Sequence, residues 1–133
     1  MAIEVTIILL LLLATALGAA IGYQRERAGK PAGLRTHVLI CLGAALFTVA
    51  SLYGFGAASD PSRIAAGVLA GVGFLGAGVV IRTREGFVAG LTTAATIWVV
   101  AAIGLAAGAG MYLVSAVATA IILGVLYIPH IKE

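Results

Sequence analysis

The chain has 133 residues, of which 62% are hydrophobic and only 10% charged, with a formal net charge of +3. A soluble domain carries about 25% charged residues, so the composition excludes a water-soluble globular protein and gives no reason to expect a nucleic-acid partner. A single cysteine, Cys41, excludes an internal disulfide and a cysteine metal cluster.

Five apolar spans follow one another, at 5–22, 36–54, 64–81, 87–105 and 111–128. Each is about 18–19 residues, or about 27 Å as a helix, enough for the hydrocarbon core of a bilayer. None contains a charge. The first is not a secretory signal: nothing basic precedes it, and the cluster Arg25, Arg27, Lys30 and Arg35 follows at once. That first loop, with Arg82 and Arg84 in the third loop and Lys132 in the tail, faces a side that has only Glu4, Asp60 and Arg63. The positive-inside rule then predicts an outer N-terminus and a cytoplasmic C-terminus.

Around the first loop, Tyr23, Gln24, Arg25, Glu26, Arg27, Lys30, Arg35, Thr36 and His37 form a polar cluster. The plain reading is orientation and contact with anionic lipid head groups. Arg35 asks for more, because it opens a helix within GLRTH. A helix amino end already carries free N–H groups and partial positive charge, so a cation there calls for a carboxylate or an anionic ligand. Glu26 is the nearest carboxylate and Glu85 the second. His37 reads as an interfacial helix-start residue, with sensing of cytoplasmic acidity as the functional alternative. Cys41 lies four residues on, inside an apolar span where a thiolate is unfavourable, so neither catalysis nor a metal site is expected.

The third span begins with Asp60 as N-cap and Pro61 at the first helical position. Arg63 is expected to pair locally with Asp60, or, with it, to gate or bind something at the outer mouth. Gly71-Val-Gly73-Phe-Leu-Gly76 matches a dinucleotide fingerprint in letters only, having no strand before it and no acidic residue at the required offset. Gly67 and Gly71 are one turn apart and suit close helix packing. The density of glycines, with Gly73, Gly76 and Gly78, leaves a broken helix as the alternative.

The stretch 25–46 recurs without a gap as 82–103, carrying RxRxGxxAGLxT in both copies. Arg25 falls on Arg82, Gly33 on Gly90 and Thr36 on Thr93. Two hairpins running in the same direction are predicted, related by an axis near the membrane normal, with the fifth span outside the repeat. The copies differ where Arg35 faces Thr92, His37 faces Ala94 and Cys41 faces Trp98. Thr92, Thr93 and Thr96 could line an internal cleft, and Trp98 lies deep enough to pack in the bundle or on a partner subunit. The expected centre of function is the first copy, with Arg35 facing the threonines of the second.

GLRTH, DPSRIAAGVLAGVGFLGAGVV, GLTTAATIW and AAIGLAAGAGMY together resemble the MgtC/SapB family of bacterial inner-membrane proteins, over essentially the whole chain. The resemblance implies an all-α, polytopic membrane protein of five transmembrane helices. It further implies links to magnesium limitation, survival in macrophages and virulence, through a regulator that restrains the proton-driven ATP synthase. It carries the family pattern onto Arg25, Glu26, Gly33, Arg35, Thr36, His37, Asp60, Arg63, Gly71, Gly73, Gly76, Gly78, Gly90, Thr93 and Trp98. Many members continue into a cytoplasmic ligand-binding domain, whereas a single membrane domain over 1–133 is expected here. Some virulence-associated members have Asn at the place of Thr92.

The residues also restrict mechanism. A magnesium pathway calls for several oxygen ligands, usually carboxylates, and a proton relay for ionisable groups within the spans; the spans hold no Asp or Glu. The leading expectation is a regulator that binds a membrane complex, as a homodimer through small-residue faces. The alternatives are a small channel or transporter between the hairpins, lined by Thr92, Thr93, Thr96 and the glycines, and a lipid or anion binder using Arg25, Arg35 and Arg82. No cofactor is expected.

Overall fold

The computed structural model describes residues 2–82 and 88–129. Five helices follow in order: α1 (Ala2–Arg27), α2 (Leu34–Tyr53), α3 (Pro61–Val79), α4 (Leu91–Gly108) and α5 (Tyr112–Leu126). The first four are long and apolar enough to cross a membrane, and α5, with 15 residues, is shorter. A helix suits such segments because its backbone N–H and C=O groups are satisfied within the segment, away from water.

Two boundaries differ from the apolar runs in the sequence, and both bear on function. α1 continues past its last apolar residue to Arg27, since Gln, Arg and Glu are good helix formers and nothing breaks the chain before Gly29. There a left-handed Gly29 (φ 71°) ends the helix, with Lys30 N–H donating to the Arg25 carbonyl and Gly29 N–H to that of Glu26. Arg25 and Glu26 are therefore helical residues and not loop residues. At the other hairpin, α4 starts only at Leu91. Before it, β1 (Ile81–Arg82) pairs antiparallel with β2 (Val88–Ala89), Ile81 facing Ala89 and Arg82 facing Val88. The two repeat copies are thus joined differently, by a tight turn in one and by a strand pair in the other. Gly90 (φ 91°) closes the second; a side chain there would run into the Val79 carbonyl.

α2 and α4 form the centre of the bundle, and α4, the more buried of the two, touches all four other helices. Ala14 and Ile21 of α1 meet Cys41 and Ala45 of α2 and Val100, Ile103 and Ala107 of α4 in one buried cluster, which α5 covers with Ile122 and Leu123. A second cluster joins Ala44 of α2, Val72 of α3 and Ile97 and Ala101 of α4. Glycines let these backbones touch. A Cβ at Gly18 or Gly22 of α1 would press on Cys41 or Leu34 of α2, and one at Gly104 or Gly108 of α4 would strike the carbonyls of Cys41 or Ala45.

The close-packing glycines are therefore not the ones the third span advertises. A Cβ added at Gly67, Gly71, Gly73 or Gly78 would have nothing within 4 Å, and of the α3 set only Gly76 approaches a neighbour, Ala94 of α4. α3 is also unbroken from Pro61 to Val79. Its buried residues are Val72 and Gly76 alone, so it lies against the side of the bundle.

Gly104→Ala should lower thermal stability in detergent by the equivalent of about 1–3 kcal/mol, the cost of overfilling a packed contact. Gly73→Ala, whose added methyl group meets open space, should leave stability unchanged or raise it by about 0.5–1 kcal/mol. Equal effects at the two sites would contradict the packing described.

Candidate functional site

The end of α1 and the starts of α2 and α4 converge on one polar cluster inside the bundle. Arg25, in the last turn of α1, is only 3% exposed. Its Nη2 donates to Thr93 Oγ1 of α4 at 2.8 Å. His37, in the first turn of α2, is fully buried. Its Nε2 lies 3.0 Å from Thr96 Oγ1, one turn along α4 from Thr93.

The partners of the imidazole decide its tautomer. Nδ1 lies 2.9 Å from the Gly33 carbonyl oxygen, which can only accept, so Nδ1 carries a proton and donates it. A neutral ring then offers Nε2 as an acceptor to the Thr96 hydroxyl. That hydroxyl also lies 2.8 Å from the Thr93 carbonyl, and its single proton can serve only one acceptor at a time. Thr93 and Thr96 are 2% and 3% exposed, so the cluster is closed to its surroundings. The two repeat copies meet here: Arg25 and His37 from the first, Thr93 and Thr96 from the second.

Glu26 does something else. Its Oε1 accepts the Leu34 N–H at 3.0 Å, so a carboxylate from the end of α1 caps the start of α2 and complements the positive end of that helix. Gly33 makes this possible, because a Cβ there would collide with Glu26 Oε1. Glu26 is thus the carboxylate at the amino end of α2, engaged with the backbone, while Arg35 points outward and is exposed. The centre of the cluster is Arg25, not Arg35. The reason is register: Arg35 leaves the buried face of α2, and His37 occupies it.

Arg25 keeps an incomplete set of partners. Its Nε, like Gln24 Oε1, is buried without a hydrogen bond. Among the described residues no carboxylate pairs with it. A buried guanidinium in this state lies next to the amino ends of two helices, where an anion would be favoured.

The other candidates lie apart. Thr36 and Thr92 are exposed. Asp60 Oδ1 caps α3 by accepting from Ser62 N at 3.0 Å and from Ser62 Oγ at 2.7 Å. The expected Asp60–Arg63 ion pair is not formed, because the carboxylate is turned onto Ser62. Arg63 lies at the same, opposite end of the bundle. Trp98 is 53% exposed and borders a shallow groove between α3 and α4 with Leu69 and Leu105. Trp98 therefore does not pack inside the bundle of one chain. Arg82 is placed by its backbone in β1, and Arg84 and Glu85 lie outside the described residues. Sequence pattern assigns Thr96 no partner, although its spacing from Thr93 puts both on one side of α4 facing α1 and α2.

A model of the MgtC family matches residues 11–132. YhiD of Escherichia coli (strain K12), designated a candidate magnesium transporter, is 56% identical over 113 residues, covering 80% of this chain and 52% of YhiD. SrpB of Synechococcus elongatus is 44% identical over 121 residues, covering 82% of the chain and 66% of SrpB. MgtC of Brucella abortus (strain 2308) is 48% identical over 110 residues, covering 82% of the chain and 45% of MgtC. The chain thus spans about half the length of YhiD and of MgtC. No solved structure matches it.

A double-mutant cycle checks the clamp between the copies. Arg25→Met and Thr93→Val should each destabilise the protein, with a coupling of about 0.5–2 kcal/mol by thermal or denaturant unfolding. The pair Arg25→Met and Thr92→Val should show no coupling, since Thr92 is outside the cluster. A coupling near zero for the first pair would show that the contact does not hold α1 to α4.

Proposed function

The chain belongs to the MgtC family, and from that membership we propose that it is a multi-pass regulator of the bacterial inner membrane in magnesium and ion homeostasis. It acts by binding a membrane partner, with the proton-driven ATP synthase as the candidate, and not by carrying ions. Its N-terminus is outside and its C-terminus in the cytoplasm, as the arginine distribution favours. The match covers about half of YhiD and of MgtC, so the activity assigned here is that of their shared membrane region.

One observation carries this reading. The threonines that would line a pathway between the hairpins, Thr93 and Thr96, are engaged by Arg25 and His37 inside a closed contact. Backbone contacts at Gly104 and Gly108 fill the space between α2 and α4. Of the glycines expected to line the same path, Gly67, Gly71, Gly73 and Gly78 of α3 meet no neighbouring helix. Gly73 and Ala77, exposed and one turn apart on α3, are accordingly small-residue positions available to a second copy, which supports the homodimer reading.

A second reading is favoured by the unpartnered Nε of Arg25: the cluster holds an anion, such as phosphate or a lipid head group, that completes the guanidinium. Of Arg25 and Arg35, only the first reaches such a site from inside the bundle; Arg35 is exposed.

Purified full-length chain in liposomes loaded with a magnesium-sensitive dye should show no influx above protein-free vesicles. In native membranes, a cross-linker placed at Gly73→Cys should join the chain to a subunit of the ATP synthase or to a second copy. A magnesium flux abolished by Thr93→Val would overturn the regulatory reading and establish transport.

A further inference from the structure

Between α2 and α3 runs a groove of about 590 Å³, from Arg63 at the end of the bundle opposite Arg25 to Leu39 and Leu75 deeper in. Leu39, Gly43 and Phe47 of α2 form one wall and Gly67, Gly71 and Leu75 of α3 the other. The missing side chains create the space: nothing stands within 4 Å of a Cβ position at Gly43, Gly67 or Gly71. The lining includes a single charged residue, Arg63, in the first turn of α3.

We propose that this groove is a binding site for one anionic phospholipid, with the phosphate held by Arg63 and an acyl chain lying between α2 and α3. The site is independent of the regulatory role and of the Arg25 cluster.

Three features select a phospholipid. The first is length. From Arg63 to Leu75 α3 rises about 18 Å, close to one leaflet of a hydrocarbon core about 30 Å thick. The groove is therefore apolar over the depth of one acyl chain and cationic where the head group would sit.

The second is the state of the cation. Asp60, the nearby carboxylate, is committed to Ser62. No ion pair or side-chain hydrogen bond of Arg63 occurs among the described residues. An exposed guanidinium with all its donors open matches a phosphate diester, which accepts from two of them at once.

The third is the chemistry of the walls. A helix from a second copy would find its closest approach at Gly67 and Gly71, but it would have to bring a carboxylate down to Arg63. A lipid supplies the anion and the apolar chain in one molecule.

The test uses full-length protein purified in mild detergent and incubated with phosphatidylglycerol or phosphatidylcholine, with native mass spectrometry reading the bound lipid. Wild type should retain one phosphatidylglycerol in preference to phosphatidylcholine. Arg63→Gln should weaken it about fivefold, the effect of one cation near a membrane surface, and Arg63→Lys should recover most of the loss. Gly67→Leu, which fills the groove and leaves Arg63 in place, should reduce occupancy without lowering the unfolding temperature. Arg35→Gln, at the other end of the bundle, should change nothing. Equal phosphatidylglycerol occupancy in wild type, Arg63→Gln and Gly67→Leu would overturn the site. So would efficient disulfide dimerisation of Gly71→Cys in intact membranes, since a second copy would then occupy the groove.

Discussion

A guanidinium and an imidazole buried in an apolar bundle must find hydrogen-bond partners within the protein, because an unsatisfied polar group there costs several kcal/mol. Arg25 and His37 each meet part of that demand on one neighbour, α4, at Thr93 and Thr96, while His37 Nδ1 turns to the Gly33 carbonyl and Arg25 Nε stays without a partner. The requirement fixes more than two contacts. It sets the rotation of α1 and α2 about their axes and the height of α4 against both. The backbone contacts at Gly18, Gly22, Gly104 and Gly108 are possible only in that register. Apolar packing alone would not choose it, since in a membrane one apolar face meets another about as readily as it meets lipid.

The internal repeat takes on a different meaning in this light. Equivalent sequence positions do not form equivalent sites. Arg25 ends a helix and turns inward, whereas Arg82, its counterpart, stands in a short strand. Thr36 is exposed, whereas Thr93, its counterpart, receives Arg25. What the duplication supplied was two sets of polar residues at the same depth, which the fold then used as the two sides of one contact. The difference between the copies, His37 against Ala94, lets one copy bring the imidazole while the other stays slim enough for Gly76 of α3 to rest on Ala94.

Much of the architecture is legible in the sequence. Apolar runs of bilayer length give the helices, and Asp60 with Pro61 gives the start of α3 to the residue. Three things are not legible, each for a physical reason. Charge marks the end of an apolar run but not of a helix, so Arg25 reads as a loop residue although Gly29 is what stops α1. Glycine spacing marks where backbones can approach, not where they do: the dense set on α3 stands largely open, and the sparser set on α1 and α4 makes the contacts. Partner choice among polar residues depends on the register between helices, which no local pattern contains. GLRTH therefore draws attention to Arg35, while the buried face of the same turn belongs to His37.

Rigidity is unevenly distributed as a result. α1, α2 and α4 are joined by backbone contacts at four glycines and by two polar contacts, and α5 is laid over their apolar surface. α3 is held at its ends, by Ser51 Oγ donating to the Pro61 carbonyl and by the approach of Gly90 to Val79, and between them mainly by Val72 and Gly76. A helix tied at both ends but sparsely packed along its length is one whose position costs little to change. It also carries the open glycines and borders the grooves against α2 and α4. A part of the bundle able to respond to whatever lies beside it in the membrane is thus one that presents open surface for contact, while the Arg25–His37 clamp keeps α1, α2 and α4 in place.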